Sequence, residues 1–218
     1  MKIKAIFLAL SIGARVGVSQ GFINLDFESA TIMTIHNPGG DTYTAMVPGW
    51  SVNTPNYVNG DPNSIPYNDI ALDSAAVNLE GTNSPYEPAI QGMYSIFLQG
   101  GTMFAPTTNG ASIWQTAQIP ATARSIIYWG NALQVSFAGQ MLSFGAIGSG
   151  SNYTIYGADI SAFAGQTGEL LFREPWESSG FLDNIQFSSS SIPEPSALGL
   201  VALGSLLFGF RRREGSRP

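Results

Sequence analysis

Three observations predict an all-β protein built as a sandwich. The central part of the 218-residue chain is rich in Gly, Ser, Thr, Asn and aromatic residues and nearly free of Lys, a composition of strands and turns. No window in it sustains an apolar period of about 3.6 residues, the signature an amphipathic helix requires. Short apolar runs follow one another instead, separated by Gly, Pro, Asn and Asp, and many short strands with turn signals between them describe two packed sheets.

The strands are predicted in order at 22–27, 45–52, 75–79, 94–98, 112–118, 124–129, 133–138, 140–147, 153–156, 168–173 and 181–187. Alternation is clearest in Leu133-Gln134-Val135-Ser136-Phe137, where every second side chain is apolar, as on a strand buried on one face. Ala138-Gly139-Gln140 then supplies a hairpin turn. Trp114 and Trp129 fall inside apolar runs and are expected in the core, as is Trp50 at the end of Pro48-Gly49-Trp50. From 53 to 69, and again from 83 to 88, the pattern dissolves into Asn, Pro, Gly, Asp and Tyr. Those loops place Tyr57, Tyr67 and Tyr86 beside Asp61, Asp69 and Glu87, and long ordered loops on a sandwich are where ligands usually bind. No internal repeat of 20 to 50 residues is visible, which disfavours a solenoid or propeller.

The two ends differ from this body. Lys2 and Lys4 precede an apolar stretch from 5 to 14, the pattern of a secretory signal peptide occupying 1–19. At the other end Ser188 to Ser191 forms a polar linker into Ile192-Pro193-Glu194-Pro195-Ser196, whose prolines exclude a helix interior or a central strand. An uncharged helix-forming run over 197–210 follows, and then Arg211-Arg212-Arg213. Fourteen helical residues reach about 21 Å, short of the ~30 Å hydrocarbon core. Counting from Pro195 and letting the arginines snorkel brings the run nearer to a span, with the arginines on the cytoplasmic side.

Pro193-Glu194-Pro195, the apolar helix and the arginine cluster together resemble the PEP-CTERM sorting signal of Gram-negative bacteria. The resemblance implies an exosortase-type processing enzyme as partner and a transient membrane anchor. It also implies delivery of the body to the envelope or the extracellular polymer matrix. A plain C-terminal membrane anchor is the alternative.

Seven of the nine basic residues lie in the two end segments, so 20–192 keeps only Arg124 and Arg173 against thirteen acids, a formal charge of 2 − 13 = −11. Such a surface repels phosphate backbones, and nucleic acid is excluded as a partner. With no cysteine, disulfides, thiolate zinc sites and cysteine nucleophiles are excluded as well.

Three separated pieces carry a second resemblance: Asn24-Leu25-Asp26-Phe27-Glu28, the stretch from Asp159 to Leu170, and Phe181-Leu182-Asp183-Asn184-Ile185. Together they resemble the galactose-binding-like jelly roll of many carbohydrate-binding modules. The resemblance implies a jelly-roll topology over 20–187 whose chain ends neighbour one another. It also implies a structural Ca²⁺ held by Glu28 and Asp183 with other ligands unspecified, since hard oxygen donors suit that ion. The alternative is that both acids face solvent or cap turns. Asp159, just before a short turn, reads as a turn acid.

Chemistry is sparse. His36, the one histidine, opens a Gly-rich turn, and no Gly-x-Ser-x-Gly elbow accompanies it; Gly148-Ser149-Gly150-Ser151 is a turn. Trp176 lies in Glu174-Pro175-Trp176-Glu177-Ser178, a polar loop where an exposed indole flanked by acids would stack on a sugar ring. The expectation is therefore a non-catalytic exported envelope or matrix protein that binds exopolysaccharide. The alternatives are a dedicated carbohydrate-binding module, or a polysaccharide hydrolase using two of the thirteen acids.

Overall fold

The computed structural model describes residues 21–54, 61–70, 73–86, 88–102 and 110–192. The signal peptide, the helix over 197–210, Tyr57, Glu87, Pro193-Glu194-Pro195 and Arg211 to Arg213 lie outside the described residues.

The body is all-β, and its strand pairs are antiparallel. In chain order the strands are β1 Thr31–Ile35, β2 Thr42–Met46, β3 Ser51–Val52, β4 Ser64–Pro66, β5 Ala76–Gly81, β6 Tyr94–Gln99 and β7 Ala111–Gln118. They continue with β8 Ser125–Gly130, β9 Gln134–Phe137, β10 Gln140–Met141, β11 Gly145–Ser149, β12 Thr154–Asp159, β13 Thr167–Glu174 and β14 Ser179–Ser188. A five-stranded sheet runs β10-β9-β13-β7-β3, a six-stranded sheet runs β11-β12-β8-β14-β6-β5, and β1-β2-β4 form a small third sheet.

Period-2 alternation produces the sandwich. Val135 and Phe137 of β9, Leu170 and Phe172 of β13 and Ile113 of β7 face Tyr128 of β8, Leu182 of β14 and Ile96 and Leu98 of β6 in one buried core. Tyr128 and Phe172 meet edge-on across the sheets at 5.6 Å. The β9–β10 hairpin turns through Ala138 (φ 49°) and Gly139 (φ 77°), the left-handed pair a two-residue turn requires.

The sequence expectations meet four corrections. Residues 22–27 form no strand, because Asn24 (φ 50°) and Phe27 (φ 60°) break the extended backbone into turns. β1, just before His36, and β4 are strands beyond the predicted ranges. Trp114 and Trp129 are only half-buried: the same alternation that sends Ile126 and Tyr128 inward sends Ile127 and Trp129 outward, where Trp129 stacks on Tyr153 at 4.7 Å. Trp50 is in the core as expected. The segment after Ser188 is not a loose spacer, since Ser125 Oγ donates to Ser190 O over 2.7 Å.

Candidate binding groove and buried carboxylates

On its outer face the six-stranded sheet presents Phe97 and Gln99 of β6, while Ser95 is buried against Asp183 and Ile96 and Leu98 point into the core. Above Phe97 and Gln99 lies an open groove of about 580 Å³, walled by Pro85 and Tyr86 on one loop, Thr102 on a second and Glu177, Ser178 and Ser179 at the start of β14. Tyr86 is 51% exposed, and Glu177 is exposed with φ 59°. An aromatic face, one carboxylate, a carboxamide and three hydroxyl side chains on an apolar floor suit a polyhydroxylated ligand: the ring stacks and the polar groups exchange hydrogen bonds. Two of the predicted ligand residues, Tyr86 and Glu177, are thus brought together here.

The others are elsewhere. Glu174 is buried rather than presented to a ligand, because Leu170, Phe172 and Glu174 share the core face of β13. Its carboxylate accepts a bond from the Ser178 hydroxyl, and burial pushes its pKa up to about 7. Trp176 is half-buried, with its indole N–H sealed from solvent and without a hydrogen-bond partner, so it lies packed at the rim rather than free as a platform. Tyr67 packs edge-on against Tyr94 at 6.1 Å and bridges to Leu79; its pKa is raised, first by burial. Asp61 and Asp69 accept backbone N–H bonds within their own turns. Sequence reasoning missed Phe97, Gln99 and Thr102; the alternation of β6 would have placed the first two on the outer face.

The jelly-roll expectation that the chain ends meet is borne out in geometry. Ile185 N donates to Leu25 O at 2.9 Å, so the turn at 24–28 lies beside β14 near the start of β6. Glu28 Oε1 accepts from Met93 N at 2.8 Å and Tyr94 N at 3.2 Å. Asp183 is fully buried; it accepts from Ser95 Oγ at 2.7 Å and Asn184 N at 2.6 Å. Burial pushes its carboxyl up to about 7; those two hydrogen bonds oppose the rise, and the charges of Glu28 and Asp26 reinforce it. Carboxylates that feel each other's charge offer the donor chemistry a hard cation takes. No three acidic, histidine or cysteine side chains gather around one point among the described residues. A cation between Glu28 and Asp183 would therefore draw its remaining ligands from backbone carbonyls.

Asp159 is the turn acid expected, accepting from Ser161 N and Oγ at 2.8 and 2.7 Å, and the Ser161 hydrogen bonds hold its pKa low. His36 is an exposed hairpin residue beside Asp41 at 3.0 Å. Among the described residues no helix is long and apolar enough to cross a membrane.

No curated protein matches the chain. Among solved structures it is similar to the enzymatically active domain of tailspike protein 4 of bacteriophage CBA120, at 13% identity and a TM-score of 0.35. The alignment covers 65% of this chain and 19% of that one, so the chain spans less than a fifth of its length. Residues 191–213 match the PEP-CTERM protein-sorting motif, which implies that the chain is exported and handled by an exosortase-type enzyme.

Proposed function

We propose that the protein is a non-catalytic component of the cell envelope or extracellular matrix, delivered by its sorting motif, whose sandwich binds exopolysaccharide in the Tyr86–Glu177 groove. The observation that carries this reading is the groove itself: an exposed tyrosine ring and one carboxylate over a floor of Phe97 and Gln99. A glycosidase of the usual kind needs two carboxyl groups roughly 5 to 10 Å apart in the cleft, and Glu177 is the one acid among the groove's described lining residues. Glu174 and Asp183, the two acids tuned towards neutrality, are buried and do not line it, and Glu174 meets it only through the hydroxyl of Ser178. One exposed carboxylate without a second in the lining favours binding over hydrolysis.

The test is retention of the full chain on exopolysaccharide from the producing cell, with reducing ends assayed in parallel. Tyr86→Ala and Glu177→Ala are expected to lower affinity at least tenfold with no release of sugar. Retention unaffected by both variants would sink the groove, and released reducing ends would establish the hydrolase instead.

We further propose that Ca²⁺ seats between Glu28 and Asp183 as a structural ion, supported by the turn at 24–28 lying beside β14 and by the charge of Glu28 acting on Asp183. The expected result is a higher melting temperature in millimolar calcium than in chelator, lost in Glu28→Ala.

A further inference from the structure

The outer face of the six-stranded sheet carries a second feature, on the side away from the groove. After β14 the chain does not leave the domain: Arg124 N donates to Ser188 O at 2.7 Å, Ser125 Oγ to Ser190 O at 2.7 Å and Ser190 N to Ser188 Oγ at 3.1 Å. These bonds hold the segment against the start of β8. At its end, Ile192 places its Cδ1 in the space that a side chain on Gly157 would fill. Ile147 Cδ1 and Ile127 Cγ2 stand 2.9 and 3.4 Å from that same point.

Gly157 and Ile127 are register partners on β12 and β8, and Ile147 lies on the edge strand β11. Gly157 is not among the glycines with positive φ, so nothing in its backbone requires glycine; what the missing side chain provides is room for Ile192. Ile192 is half-buried after a run of four serines, and it lies within the matched sorting segment.

We propose that Gly157, Ile127 and Ile147 form a docking cradle for the start of the sorting segment. Ile192 is its plug, and the processing enzyme engages the Pro193-Glu194-Pro195 tripeptide only after that plug lifts off. The inference rests on reading 191–213 as a processing address. The physical argument is that a peptidase or transferase binds its substrate as several extended residues on both sides of the reacting bond. With Ser190 and Ile192 held on the sheet, the residues before the tripeptide are not free to form the near half of such a stretch. Its availability follows the population of the undocked form, as proteolysis of locally opened segments does.

The experiment has two arms. Full chain purified in detergent is exposed to proteinase K under native conditions, and cleavage within 189–195 is followed by mass spectrometry. Conversion of precursor to processed form is followed by pulse-chase in the producing cell. Ile192→Ser and Gly157→Val are each expected to raise both rates roughly three- to tenfold, as loss of a partly buried isoleucine contact predicts, at unchanged melting temperature. Ile147→Ser, at a surface position, should act in the same direction. Unchanged proteolysis in Ile192→Ser overturns the docking. Faster proteolysis with unchanged conversion overturns the control of processing, and a rise that tracks a falling melting temperature overturns both, since the whole sheet has then loosened. Glu194→Ala tests the address separately: if it leaves conversion intact, the sorting reading fails whatever the cradle does.

Discussion

Asp183 and Glu174 are alike in burial and acidity and unlike in company. Both are carboxyls in the sandwich held near pH 7. Glu174 owes its shift to desolvation alone, at the end of β13, and its partner Ser178 lines the open groove. Asp183 has desolvation plus the charges of Glu28 and Asp26, and through Ser95 it ties β14 to β6. The difference teaches that one raised acidity reflects where a strand happens to end, whereas the other reflects a carboxyl sealed in the sheet with the charges of Glu28 and Asp26 adding to the effect of burial.

Truncation should separate them most. Asp183→Ala strips the acceptor from Ser95 Oγ and Asn184 N in a sealed site, and an unpaired buried donor costs about 1 to 3 kcal/mol. A loss of roughly 3 kcal/mol in denaturant unfolding is expected. Glu174→Ala frees only the Ser178 hydroxyl, which sits at the groove wall where water can replace the acceptor, so about 1 kcal/mol is expected. Equal losses would erase the distinction.

The pH profile comes next. Both carboxyls have folded-state values of about 7 against ordinary values of 3.8 and 4.5, so the folded chain binds protons more tightly than the unfolded one. Their contribution to stability is then greatest at and below about pH 4 and falls as pH rises towards 7, by at most about 1.4 kcal/mol per unit for each group, before levelling off. Calcium sharpens the comparison. A bound cation would keep Asp183 ionised and remove its share of the slope while leaving that of Glu174 in place. If the metal changes neither share, Glu28 and Asp183 do not hold it.

Much of this fold was legible in the sequence because alternation reports a face. The runs at 133–138 and 168–173 carried their phase openly and became β9 and β13. The run Ile126-Ile127-Tyr128-Trp129 is apolar at every position, so composition could not say which pair faces inward, and Trp129 was misplaced for that reason. Glu174 was legible in principle: it continues the Leu170, Phe172 phase, but Pro175 and Trp176 gave the stretch the texture of a loop. The turns at Asn24 and Phe27 left no signal, since a left-handed phenylalanine is held there by tertiary packing against Trp50 at 5.5 Å. The convergence of Glu28 with Asp183 came from resemblance rather than from residue pattern. The groove needed the structure, because its walls come from segments far apart in sequence.

The smallest expected effect concerns Trp176, one loop position beyond Pro175. Its indole N–H is buried without a partner, so Trp176→Phe removes an unsatisfied donor while losing some buried area, and the two terms oppose each other. Stability should change by less than about 1 kcal/mol. Because Trp176 does not line the groove, polysaccharide retention should also be unchanged, in contrast to Tyr86→Ala. A loss of retention in Trp176→Phe as large as that in Tyr86→Ala would mean that the 174–178 loop opens to bring the indole onto the sugar. In that case the quiet burial of Glu174 would itself be part of the binding site, and the contrast with Asp183 would be one between two functional acids.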